Sequence, residues 1–267
     1  MYEAFISLEG GDIRNLFLKK YKDDDSNDPY QLMSDAGDPL LYIAQSGLLG
    51  KSLPTHRSIY ESPTSAYKMK GKVLQVPLIF ENEEFLVKKV YTFSEGSYEI
   101  GTSFEILNKS QNNINPTAYF QFIHDGESNQ GSTFMPTYTG TAYYTNNEHF
   151  QKISFGDVES SPFTLDSNNG WIGIIQRYFA SSWILSSKEN REFFSKEITS
   201  NTYASGLKAG LSEILPGETL SFEAILYSGP QAKELLEKAA PGMELTVDYG
   251  WLTILAAPLF SVLSGIQ

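Results

Sequence analysis

The sequence predicts a mainly β fold, one large two-sheet β-sandwich, on three observations. Apolar residues recur with period two, polar turn clusters separate these runs, and no helices alternate with them as a parallel α/β sheet would require. The first strand carries Tyr2, Ala4, Ile6 and Leu8 on one face. Further on, Tyr98, Ile100, Thr102, Phe104 and Ile106 alternate with polar or small residues, and Leu220, Phe222, Ala224 and Leu226 repeat the pattern. The separators EGGD, DDDSNDP, SEGS, NKSQNNINP, DSNNG and LPGE are rich in residues that accept positive φ or bond their own backbone.

The densest apolar stretch before the end of the chain is GWIGIIQRYFASSWIL, Gly170 to Leu185. Trp171, Ile172, Ile174, Ile175, Tyr178, Phe179, Trp183 and Ile184 are expected to fill the core of a central strand pair. Gln176 and Arg177 break the run and point to an edge or cleft. One helix is expected in GPQAKELLEKAAPG, with Pro230 at its first position, an apolar face of Leu235, Leu236 and Ala239, and a stop at Pro241-Gly242. The expected division is a sandwich over 1–228, a packing helix and connector over 229–247, and an apolar helical tail over 248–267.

Composition limits function. A formal charge of −12 argues against nucleic acid and against electrostatic adhesion to an anionic membrane. Hydrophobic residues at 41 % supply a real core. The absence of cysteine removes disulfides, thiol catalysis and thiolate metal sites. The chain opens inside a strand pattern, with no charged-then-apolar leader.

Candidate chemistry is sparse. Asp23 to Asp28 lacks the glycine and distal glutamate of a calcium loop and reads as a solvated acidic turn. His56, His124 and His149 have no metal-ligand spacing. His124 is followed by Asp125 and Glu127, but adjacent strand residues face opposite sides, which disfavours an acid/base pair. No phosphate loop, nucleophile elbow or zinc motif is present, so the expectation is no catalytic residue, no cofactor and no metal.

After Asp248 no charged residue follows. Tyr249 to Gln267 stands near the lower length limit for a span, and Pro258 would kink or restart a helix there. Helical spacing gathers Trp251, Leu252, Leu255, Leu259 and Val262 on one stripe, and Tyr249 and Trp251 suit the headgroup level. An amphipathic helix lying in the membrane interface is therefore expected, engaging Tyr249, Trp251, Leu252, Leu255, Leu259 and Phe260.

Three segments carry a resemblance. YIAQSGLLG (Tyr42 to Gly50), GWIGIIQRYFASSWI and LTVDYGWLTILAAPLF (Leu245 to Phe260) resemble, in order and spacing, the large periplasmic domain of YidC-type membrane protein insertases. The likeness covers essentially the whole chain. It implies a supersandwich similar to aldose mutarotases, on the periplasmic side of the inner membrane. It implies a membrane helix before Met1 and a five-helix insertase core after Gln267, which inserts membrane proteins alone or with the Sec translocon. It also implies a contact with SecD/SecF through Met135 to Ile184. The polar loops Asn146, Asn147, Glu148 and His149, and Asp166, Ser167, Asn168 and Asn169, are the candidate partner surface. The runner-up reading is a carbohydrate-binding or sugar-isomerising sandwich, since the fold class hosts such sites.

Overall fold

The computed structural model describes residues 1–23, 26–37, 40–126 and 138–247. The expected interface residues Tyr249, Trp251, Leu252, Leu255, Leu259 and Phe260 lie outside the described residues, as do the 248–267 tail and Met135.

The strands follow in order: β1 (Tyr2–Ile6), β2 (Ile13–Lys22), β3 (Pro29–Asp35), β4 (Leu41–Leu49), β5 (Val73–Glu81), β6 (Phe85–Ser94), β7 (Glu99–Asn108) and β8 (Thr117–His124). Then come β9 (Gly140–Thr145), β10 (His149–Ile153), the short helix α1 (Phe155–Ser160), β11 (Phe163–Ser167), β12 (Trp171–Ile175) and β13 (Phe179–Ile184). The chain continues through β14 (Arg191–Thr199), β15 (Thr202–Gly210), β16 (Thr219–Pro230), helix α2 (Lys233–Ala239) and a 3-10 turn at Met243–Thr246. They form two eight-stranded sheets. Sheet I runs β1-β2-β3-β4-β8-β15-β14-β11, and sheet II runs β10-β9-β12-β13-β16-β7-β6-β5. Neighbours pair antiparallel throughout, for example Phe120 of β8 opposite Ser46 of β4 and Leu207 of β15.

Period two does what the sequence requires of it in β7. Ile100, Thr102, Phe104 and Ile106 are wholly buried, while the residues between them face outward. Phe120 and Phe122 of sheet I meet Trp183 of sheet II with ring centroids 5.0 and 5.8 Å apart. Each such side chain contributes roughly 1.5–3 kcal/mol through burial. Trp171 and Trp183 are core residues, as the apolar run predicts.

Two expectations are corrected. Tyr178 is 55 % exposed, because Gln176, Arg177 and Tyr178 form the tip between β12 and β13, where the Arg177 guanidinium lies 4.7 Å from the Tyr178 ring. Pro230 ends β16 opposite Phe179 and does not begin the helix, since a strand end also tolerates a missing N–H. Helix α2 starts three residues later, and Gly242 (φ 73°) follows it. The sequence reading also missed α1. Its signal was present: Ser154 caps the helix, accepting from the Asp157 N–H at 3.1 Å while Asp157 accepts from the Ser154 N–H at 3.1 Å.

The C-terminal elements cover part of sheet II. Leu236 of α2 is fully buried, and the Trp171 indole donates to the Pro241 carbonyl at 3.1 Å. A Cβ on Gly242 would stand 2.2 Å from the Tyr144 ring, so the chain passes there at backbone contact. This explains why β12 is buried on both faces.

One polar group ties the sheets through the core. Lys89 of β6 is wholly buried and donates to the carbonyls of Gly10 (2.9 Å) and Ser46 (3.0 Å). Its Nζ is 3.7 Å from Asp12, also wholly buried, and within 6 Å of the Tyr60, Tyr91 and Phe104 ring centroids. Burial pushes the Asp12 carboxyl up to about 6, against the pull of Lys89 and Arg14. Burial likewise pushes the Lys89 ammonium down to about 8.

Candidate functional site

Strands β4, β8, β15 and β14 carry apolar residues on both faces. Tyr42, Phe122, Tyr203 and Phe193 point between the sheets, while Ile43, Ile123, Ala204 and Phe194 make a second apolar cluster on the opposite side of sheet I. Ladder register places Gln45, Gln121, Gly206 and Phe194 side by side, with Gly47, Tyr119, Lys208 and Glu192 in the next row. Gly47 is required here. A Cβ at this position would lie 2.5 Å from the Tyr119 hydroxyl, so the missing side chain is where the phenol rests.

Over these rows lies a groove of about 530 Å³, floored by Tyr119, Gln121 and Phe194 and walled by Leu49 and Phe163. The loop after β4 supplies its other side through Thr55, His56 and Arg57. The Tyr119 hydroxyl is held twice, by the His56 N–H at 2.8 Å and by His56 Nδ1 at 2.7 Å. Partial burial and the nearby cations hold the His56 imidazole below its usual range, favouring the neutral ring. Gln121 donates to Gln45 at 2.9 Å, and Lys208 pairs with Glu192 at 2.5 Å beside the Phe194 ring. The groove is thus an apolar floor whose polar groups bond one another. It can bind; its histidine and its carboxylate are each committed elsewhere.

A second hollow of about 660 Å³ shares Glu192 and Lys208 with the first and extends to Asn147, Asp166, Ser167 and Asn168. The two candidate partner loops meet here. The Asn146 N–H donates to the Asn169 side chain at 2.8 Å, joining the β9–β10 turn to the β11–β12 connection. Asn169 donates to Asn168 at 2.7 Å, and the Asn168 carbonyl accepts from Arg191 at 3.3 Å. Arg191 is itself buried and also donates to the Leu185 and Glu189 carbonyls. Glu148 caps the turn through its N–H to Thr145, and His149 takes φ 55° at the start of β10. Residues 146–149 and 166–169 therefore form one surface on one end of the sandwich.

His124 and Asp125 do come together, contrary to the opposite-face expectation. His124 ends β8, so the alternation lapses there and Nδ1 sits 3.3 Å from the Asp125 carboxylate. Both are buried, His124 stacks on Phe155, and Asp125 accepts from the Leu41 N–H at 2.8 Å. They close the end of the core. In the acidic turn, Asp23 accepts from the Ser26 N–H at 3.1 Å, while Asp24 and Asp25 lie outside the described residues. Among the described residues no cluster of acids and histidines fits a metal ion.

Sequence reasoning did not find the groove, whose residues come from five separated segments. The period-two parity was the available signal: Tyr119, Gln121 and Phe194 stand out of phase with the inward-facing set.

Known proteins place this architecture. Among solved structures, a galactose mutarotase-like protein from Lactobacillus casei superposes with TM-score 0.54 at 8 % identity, covering 85 % of this chain and 97 % of that one. Another, from Clostridium acetobutylicum, gives 0.53 at 14 % identity, covering 86 % and 93 %. These likenesses establish the fold. In sequence, the membrane protein insertase YidC of Methylobacillus flagellatus is 42 % identical over all of this chain and 49 % of its own length. That of Nitrosospira multiformis is 40 % identical over 99 % of this chain and 48 % of its own length. The chain therefore spans about half the length of the curated relatives it matches. The family model described as the YidC periplasmic domain matches residues 1–262. By that match the chain belongs to the YidC periplasmic domain family.

Proposed function

We propose that this chain is the accessory, periplasm-facing domain of a membrane protein insertase of the inner membrane, and that it acts by contact and positioning without catalysis. The observation that carries this reading is the family match, which runs from residue 1 to 262 at about half the length of the insertase relatives. Insertion and folding of inner-membrane proteins, alone or with the Sec translocon, would then belong to the rest of the protein. The sandwich of 1–228 and the packing connector of 229–247 would present a partner surface. The segment 248–267 would begin a helix in the membrane interface.

The surface made by Asn146, Asn147, Glu148 and His149 with Asp166, Ser167, Asn168 and Asn169 is assigned to SecD or SecF. Its support is that two loops far apart in sequence share one hydrogen-bonded platform. Photo-crosslinking residues at Asn147 and Asn168 of the full-length protein, in its native membrane, should capture Sec subunits. Capture confined to the far edge at β5 would move the contact there. The sugar-isomerising alternative has the fold alone behind it. Anomer exchange of common aldoses, followed by NMR, should be unaffected by the protein; acceleration abolished by His56→Ala would overturn the non-catalytic reading.

A further inference from the structure

The two loops of the partner surface and the connector that leads out of the domain meet at one residue. Tyr144 lies near the end of β9, two residues before Asn146. Its ladder neighbours are Phe150 of β10 and Trp171 of β12, whose rings stand 6.2 Å apart. Gly170, which joins Asn169 to Trp171, meets the Tyr144 backbone: a Cβ there would lie 1.8 Å from the Tyr144 carbonyl oxygen. Gly242 of the connector meets the Tyr144 ring, again with no space for a side chain. Both glycines take positive φ, 90° and 73°, which a residue with a Cβ resists. The glycines that punctuate the sequence as turns are thus two contact points on a single tyrosine.

Each side of Tyr144 is braced. On the connector side, the Trp171 indole holds the Pro241 carbonyl and Met243 is wholly buried. The N–H groups of Met243, Leu245 and Val247 donate to Ala240, Gly242 and Glu244 at 3.2, 3.3 and 3.3 Å. On the loop side, the Asn146 N–H reaches the Asn169 side chain. The Ser167 hydroxyl donates to the Asn169 carbonyl at 3.0 Å and accepts from the Asn169 N–H at 3.3 Å. Close-packed contacts pass a displacement on instead of absorbing it. A shift of either loop pulls on Gly170 or on β9, and so on Tyr144. A shift of the Tyr144 ring toward the connector lifts Gly242. Lifting exposes Met243 and frees the Pro241 carbonyl, so the connector has two states, seated and lifted, separated by local opening alone.

We propose that Tyr144 is the joint coupling the partner surface to the connector, so that contact at residues 146–149 and 166–169 favours the seated state and fixes the direction in which the chain leaves at Val247. The proposal rests on the accessory-domain reading, which makes those loops a partner surface. Coupling of this kind is reciprocal. Whatever lifts the connector weakens the partner contact, and the partner protects the connector by the same factor. Tyr144 is a positioning residue in this scheme, and it acts through the bulk of its ring.

The test is hydrogen exchange over residues 242–247 of the 267-residue chain, read by mass spectrometry. Tyr144→Ala should speed exchange there, and Tyr144→Phe should leave it as in the wild type. Asn169→Ala changes only the partner surface, yet it should speed exchange in the connector about fivefold, the lower end of the usual coupling range. Unchanged exchange in β7 checks that the variants have not lost global stability. In the full-length protein in its native membrane, Tyr144→Ala should lower photo-crosslinked capture of Sec subunits at Asn147 by a similar factor, and Tyr144→Phe should not. Connector exchange that ignores Asn169→Ala would overturn the coupling. So would equal effects of Tyr144→Ala and Tyr144→Phe, or equal capture from wild type and Tyr144→Ala. Failure of the wild type to capture any Sec subunit, with the connector still responding to Asn169→Ala, would overturn the Sec assignment of the surface and leave the joint standing.

Discussion

Two lysine–carboxylate pairs divide the molecule into inside and outside. Lys208 and Glu192 stand 2.5 Å apart on the groove, with side chains 37 % and 39 % exposed. Lys89 and Asp12 are 3.7 Å apart, and neither side chain is exposed at all. Distance alone would rank the first pair as the stronger. Burial reverses the ranking. The outer pair exchanges water for a partner at little net gain. The inner pair has lost its water, so Lys89 depends on Asp12 and on the Gly10 and Ser46 carbonyls, and Asp12 on Lys89 and the Ser46 N–H.

The sharpest test removes one inner charge. Lys89→Met should cost about 3–5 kcal/mol in urea unfolding, because it leaves Asp12 buried without its ion-pair partner and two carbonyls without their donor. The double variant with Asp12→Asn should be less destabilised than the sum of the two single changes, since the members act as a unit. A loss below about 1 kcal/mol for Lys89→Met would erase the contrast between the pairs.

A second test uses pH. The native Asp12 carboxyl holds its proton to about 6, whereas its unfolded reference is 3.8. Across that window the native state binds the extra proton, so this group's contribution to stability falls as pH rises. Lys89 acts at the other end. Between about 8 and its reference of 10.5 the unfolded chain keeps a proton that the native state has lost, so its contribution rises with pH. Unfolding free energies of wild type minus Asp12→Asn should therefore decline from pH 4 to 6. A flat difference would show that Asp12 ionises normally inside the protein.

The smallest effect belongs to the outer pair. Lys208→Ala should change stability by about 0–1 kcal/mol, with little further change when Glu192→Ala is added. A larger coupling in that cycle would mean that the groove wall is a structural support as well as a surface.

The difference between the pairs also marks what the sequence conceals. Alternation in Ile100 to Ile106 exposes the fold class because one face of β7 is dry and apolar. The same parity runs through Phe85, Val87, Lys89, Tyr91 and Phe93, and it puts Lys89 inside. A lysine between valine and tyrosine reads as a surface residue until its partners are known, and those partners come from Gly10, Asp12 and Ser46. The groove is hidden for a related reason. Strands β4 and β8 are apolar on both faces, so their pattern announces burial without saying which face meets the other sheet. The partner loops were nameable from resemblance, but their junction at Asn146 and Asn169 is a tertiary fact.

The strand order has a consequence in time. β7 lies against β16, with Gly101 opposite Ile225, and β8 lies between β4 and β15, with Phe120 opposite Leu207. A chain made from its amino end displays β7 and β8 long before β16 and β15 exist. Each then presents a bare ladder of amide and carbonyl groups, the kind of edge that invites pairing with a stranger. Long-range closure of this sort is slow, on the order of milliseconds to seconds even once the whole chain is available. Strands β15 and β16 therefore act as a clasp, and a nascent chain halted before Thr202 would expose both open edges.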